Sequence, residues 1–151
     1  MARRFPLETV RQLAQRRTED AAVELQGHST RLRAAEDKLK QLQGYRDEYR
    51  TAKAQAMVQG MAMGRLREFE TFLARIEEAI AAQSLEVERV RAAWEAARLH
   101  WVEQHKREKA MDALAERHAA QELQREMRQD RKSQDEFAAR VKPGPMKIRL
   151  K

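Results

Sequence analysis

The 151-residue sequence contains no cysteine, which excludes a disulfide framework and thiol chemistry and suits a reducing compartment. Helix breakers are scarce. There are five glycines and three prolines, and Pro143, Gly144 and Pro145 crowd the far end, so almost nothing interrupts a helix between Leu7 and Val141. Aromatic residues make up 5% of the chain and charged residues 36%, a balance that supplies little for a globular core and much for long solvated helices. No apolar run approaches the roughly 20 residues of a membrane span. The opening MARRFPLETV is basic but lacks the apolar stretch of a signal peptide. A cytoplasmic, all-helical protein is expected.

Catalytic chemistry is also missing. Ser29, Ser84 and Ser133 have no histidine and acid arranged nearby, and no glycine-rich phosphate loop occurs. His100 and His105 are five apart and so face different sides of a helix, while His28 and His118 stand alone. Neither a metal nor a cofactor is expected, and the carboxylates alternate with Lys and Arg as on any solvated helix.

What remains is helical periodicity. FPLET reads as a helix start, with Pro6 suited to a first helical position and Glu8 to the positive end of the dipole. The first helix follows Leu7, Val10, Ala14, Ala21, Leu25, Leu32, Ala35, Leu39, Leu42 and Tyr49, interrupted by Arg17 and His28. The pattern fades in TAKAQAMVQGMAMG, residues 51–64, where Gly60, Gly64 and the absence of acidic residues mark a turn. From Phe69 through Leu73, Ile76, Ile80, Gln83, Val87, Val90, Trp94, Ala97, Trp101, Gln104, Glu108, Met111 and Ala115, steps of four and three alternate without a break. That is the heptad seam of a left-handed coiled coil.

The predicted fold is a long antiparallel two-helix coiled-coil hairpin over 1–142: a helix at about 6–57, a turn at about 58–64, a helix at about 65–141, then a disordered basic tail over 143–151. Folding back near residue 61 sets Leu42 against Ile80, Tyr45 near Ile76 and Tyr49 near Phe72, and residues near 6 opposite those near 116. The second helix then overhangs from about 117 to 140. An overhanging helix invites another protein.

Charge is uneven. Residues 1–17 carry Arg3, Arg4, Arg11, Arg16 and Arg17 against Glu8 alone; residues 125–151 carry nine Lys or Arg against four acids. The two segments fall towards the same end of a hairpin and together exceed the whole net charge of +7. Nucleic acid, anionic lipid or an acidic protein surface could answer that field. Phe5 and Phe137 are the only aromatics there, too few for base stacking.

The only two tyrosines lie in QLQGYRDEYR, residues 41–50. With Leu32, Leu39 and Arg46 at heptad position a, and Ala35, Leu42 and Tyr49 at d, Tyr49 belongs to the seam and Tyr45 to the flanking g position. Phe72 and Ala79 also fall at g, with Leu73 and Ile80 at a and Phe69 and Ile76 at d. In an antiparallel pair Tyr45, Phe72 and Ala79 should converge on one flank, where coiled coils normally carry charge. They form either a protein-binding patch or a broadened core.

The runs FPLETVRQLAQ, QLQGYRDEYR, FLARIEEAIAAQ and RQDRKSQDEFAAR resemble the FliJ family of flagellar type III export proteins in order and spacing over essentially the full chain. The basic MKIRLK ending departs from it. Related injectisome stalk proteins share the hairpin, but YRDEYR points to the flagellar branch. The resemblance implies a non-enzymatic stalk, similar to the central stalk of rotary ATPases, whose terminal end enters the export ATPase ring and promotes its assembly. It also implies contact with the cytoplasmic domain of the export gate and escort of export chaperones, without specific nucleic acid and with membrane association only through partners at the flagellar base. The family's gate-contacting motif maps onto Leu42, Tyr45, Tyr49, Phe72, Ile76, Ala79 and Gln83. Arg11, Arg16, Arg128, Arg131 and Lys132 are the candidates for the ring.

Overall fold

A computed structural model describes residues 2–141; the MKIRLK ending and the tail expected over 143–151 lie outside them. Two helices account for nearly all of the described residues, α1 over Glu8–Gln59 and α2 over Met63–Arg140, and no strand occurs among them. Contacts group them into two units, Arg17–Gln104 and the described parts of Met1–Arg16 with His105–Lys151.

In Arg17–Gln104 the helices pack antiparallel about a three-residue turn. The Gly60 amide donates to the Met57 carbonyl at 3.2 Å, and Gly60 has φ 93°, a left-handed conformation that ends a helix readily only with glycine. Gly44, by contrast, lies inside α1 with open space where a Cβ would stand. Alanine at the two sites should therefore act with opposite sign. Gly60→Ala is expected to lower stability by about 1 kcal/mol through backbone strain, whereas Gly44→Ala should raise it by about 0.5–1 kcal/mol through helix propensity. Thermal unfolding of the two variants checks the turn geometry.

The core of this unit is thin. Its buried apolar residues are Ala21 and Ala35 of α1 and the larger Ile76, Ile80, Val87 and Val90 of α2. Each buried aliphatic side chain contributes about 1.5–3 kcal/mol. Gln83 is buried among them without loss of its polar contact, since its Nε2 donates to the Ala35 carbonyl at 2.9 Å. Trp94 is half-buried and its indole N–H donates to the Ser29 hydroxyl at 2.9 Å. The flanks carry interhelical pairs, Arg91 with Glu36 at 3.0 Å and Arg50 with Glu77 at 2.8 Å, each worth at most about 1 kcal/mol when solvated. One seam position differs from the sequence pattern. Thr18, not Arg17, is buried; a Thr18, Ala21, Leu25 run keeps the four and three alternation, and a threonine methyl packs where an arginine would have to bury charge.

In the other unit the leading segment of the chain lies along α2. The Phe5 ring meets His118 at 5.4 Å, His118 Nε2 donates to the Arg3 carbonyl at 2.9 Å, and the Arg3 amide donates to Glu122 at 3.2 Å. Pro6 precedes the helix, whose first i→i+4 bond runs from the Arg11 amide to the Leu7 carbonyl. Residues 2–5 are not helical, and extended chain covers about 3.3 Å per residue against 1.5 Å for a helix. The segment thus reaches Glu122, and the stretch of α2 exposed at every residue starts at Met127 rather than near 117. Among the described residues no helix is long and apolar enough to cross a membrane.

Candidate protein-binding sites

The first site forms where the seam runs out of aliphatic residues. Tyr49, half-buried, stacks on Phe72 with centroids 4.3 Å apart and planes at 28°, and tilts against Phe69 at 5.3 Å and 60°. Both geometries suit aromatic quadrupoles and add about 0.5–1.5 kcal/mol each beyond area burial. Arg65 caps the group, its guanidinium 6.0 Å from the Phe69 centroid. Arg46 occupies the seam beside Tyr49 and turns to Asp47 at 3.2 Å and Glu77 at 3.9 Å, so the charge at that a position is met at the edge of the interface.

The seven residues mapped to this region are not equivalent. Ile76 and Gln83 are buried between the helices, and Leu42, Tyr49 and Ala79 are half-buried. Only Tyr45, 50% exposed, and Phe72, 44% exposed, offer large apolar surface to a partner. Tyr45 joins no ring contact among the described residues; its hydroxyl accepts a hydrogen bond from Gln41 Nε2 at 3.0 Å. The ring that meets Phe72 is Tyr49, one turn along. Phe72 shares one exposed face of α2 with Arg67, Glu68, Thr71 and Arg75, so its ring is rimmed by charge and open to a partner. Sequence reasoning placed Phe69 in the seam without joining it to this cluster, although its spacing of three from Phe72 carried the signal.

The second site is basic. Arg16, Arg128, Arg131 and Lys132 are exposed, as are Arg3, Arg4 and Arg140. Arg11 differs: its Nε bonds Asp112 at 3.0 Å and its Nη1 meets Glu8 at 3.4 Å. The hydrogen bond to Asp112 holds the Arg11 guanidinium above its ordinary pKa. That arginine ties α1 to α2, while its neighbours point outward. Exposed Leu7, Val10, Leu13, Leu123, Met127 and Phe137 interleave with these cations, so the surface is apolar as well as positive. Among the described residues no group of three or more His, Asp or Glu is placed to hold a metal ion. The arrangement has the means to bind protein surfaces through aromatics, aliphatics and charge.

A family model described as flagellar FliJ protein matches residues 3–142. The chain is 34% identical to the flagellar FliJ protein of Salmonella typhi and 32% identical to that of Escherichia coli K12. Each match runs over 141 residues, 93% of this chain and 96% of the relative. The solved structure of a YscO-like protein of Chlamydia trachomatis superposes with a TM-score of 0.59 at 21% identity, covering 92% of this chain and 94% of that one. At that identity the likeness concerns the fold.

Proposed function

The chain belongs to the FliJ family of flagellar proteins, and from that premise we propose that it serves flagellar type III export as a non-enzymatic stalk. Its terminal unit enters the export ATPase ring and promotes ring assembly. Its aromatic site around Tyr45 and Phe72 contacts the cytoplasmic domain of the export gate. It escorts export chaperones between these partners and works in the cytoplasm at the flagellar base.

One observation carries the reading. From Met127 to Val141 every residue of the chain is exposed, and this stretch bears Arg128, Arg131, Lys132 and Arg140 together with Met127 and Phe137. Fourteen helical residues, Met127 to Arg140, without tertiary support lie near the limit at which a helix holds in water by itself, about 12–15 residues. A surrounding partner with acidic and apolar surface would stabilise it.

Replacing Arg128, Arg131 and Lys132 by Gln, which removes the charge at nearly equal helix propensity, is expected to weaken association with the ATPase ring about tenfold or more. Helicity should be unchanged, and the effect should shrink as salt is added. Pulldown on the purified ATPase with circular dichroism in parallel checks it. Undiminished binding by the triple variant would move the ring contact to Arg16 and the other N-terminal arginines.

A further inference from the structure

The turn joining α1 to α2 exposes an apolar tip beyond the aromatic site. Met57 is 54% exposed, Val58 88% and Met63 67%, and Ala54 and Ala62 are exposed beside them. From Tyr49 to Arg67 there is no acidic residue, while Arg50, Lys53, Arg65 and Arg67 fall within the same stretch. Arg50 and Lys53 share their charge with Glu77 and Glu70. Arg65 and Arg67 enter no ion pair among the described residues, and Arg65 stands in the first turn of α2, where the helix dipole disfavours a cation. Arg65 lies over the Phe69 ring, but no local contact accounts for the exposed Met57, Val58 and Met63 or for positive charge without an acid from Tyr49 to Arg67.

We propose that this hairpin tip is a membrane-surface anchor that inserts its methionine and valine side chains into the interface of an anionic lipid bilayer. Spacing along α2 matches such an interface. Arg65 and Arg67 lie three and five residues behind Ala62, about 5–8 Å along a helix, and apolar faces of peripheral helices sink roughly 5–10 Å into the headgroup and acyl boundary. The apex would reach the acyl region as the guanidinium groups arrive among the lipid phosphates. A lipid surface is favoured over a protein because the tip between Tyr49 and Phe69 holds no Trp, Tyr or Phe to fill a partner's pocket, while small apolar side chains backed by cations are what an anionic interface takes up.

The chain has no cysteine, so Val58→Cys places one environment-sensitive fluorophore at the tip of the full-length protein, and Val23→Cys, at a residue 73% exposed on α1, places a control elsewhere. With vesicles of phosphatidylcholine containing about one third phosphatidylglycerol, the label at 58 should shift to the blue and brighten. The label at 23 should not change, and vesicles of phosphatidylcholine alone should have no effect. Arg65→Gln with Arg67→Gln should weaken vesicle binding about 25-fold, from roughly fivefold per cation removed at an anionic surface. A label at 58 that stays in water while the protein sediments with the vesicles would assign binding to the basic terminal unit and overturn the proposal. Absence of sedimentation would overturn it too, as would a shift seen only with an acidic protein such as the gate domain.

Discussion

Trp94→Ala is expected to destabilise the hairpin by about 3 kcal/mol. The indole is half-buried, which places the loss near the lower end of the range for removing a core tryptophan. The α1 residue it meets is Ser29, a small side chain that cannot fill the space the indole leaves. A smaller part of the loss comes from the bond to Ser29. Trp94→Phe keeps most of the apolar area and drops only the donor, so about 1 kcal/mol should be lost. Ser29→Ala should lose a similar amount by leaving the N–H without its acceptor, and the double variant should fall short of the sum. Leu99→Ala is the control, since Leu99 is 56% exposed and should change stability by less than about 0.5 kcal/mol. Urea unfolding followed by circular dichroism separates these values. If Trp94→Ala costs no more than Leu99→Ala, the tryptophan is not a seam residue.

The second helix was readable in the sequence because its seam residues are large and regularly spaced: Ile76, Ile80, Gln83, Val87, Val90 and Gln104, all expected there, are buried. The first helix was less so. Its fully buried residues, Thr18, Ala21 and Ala35, are small and carry little hydrophobic signal, and the Arg17 position was assigned where Thr18 packs. The extent of the overhang depended on whether the first residues were helical or extended, a choice fixed by contacts of Arg3 and Phe5 with residues more than a hundred positions away. Heptad position predicted the different exposure of Tyr45 and Tyr49 but grouped Tyr45 with Phe72, whereas folding back near residue 61 set Tyr49 near Phe72, the ring that stacks there. The stacking depends on axial stagger and side-chain direction, which heptad letters leave undetermined. Nor did charge counting distinguish Arg11, held by Asp112, from the outward-pointing Arg16.

The two tyrosines should therefore respond differently to truncation. Tyr49→Ala removes a half-buried ring together with its contacts to Phe69 and Phe72, and is expected to cost about 2–3 kcal/mol of stability. It should also weaken gate binding, because Phe72 loses the ring that holds it in place. Tyr45→Ala removes a ring that is 50% exposed and bonded only to the neighbouring Gln41 on its own helix. Its melting temperature should scarcely move, while binding to the cytoplasmic domain of the gate weakens by roughly 2 kcal/mol or more if the ring fills a pocket on the partner. Phe72→Ala should do some of both, since its ring is 44% exposed yet stacked on Tyr49. Thermal circular dichroism and calorimetric titration on the same three variants place each residue on the two scales. Equal melting losses for Tyr45→Ala and Tyr49→Ala, with no separate binding loss for Tyr45→Ala, would make both rings part of a widened core and leave Phe72, 44% exposed, as the remaining contact for the gate.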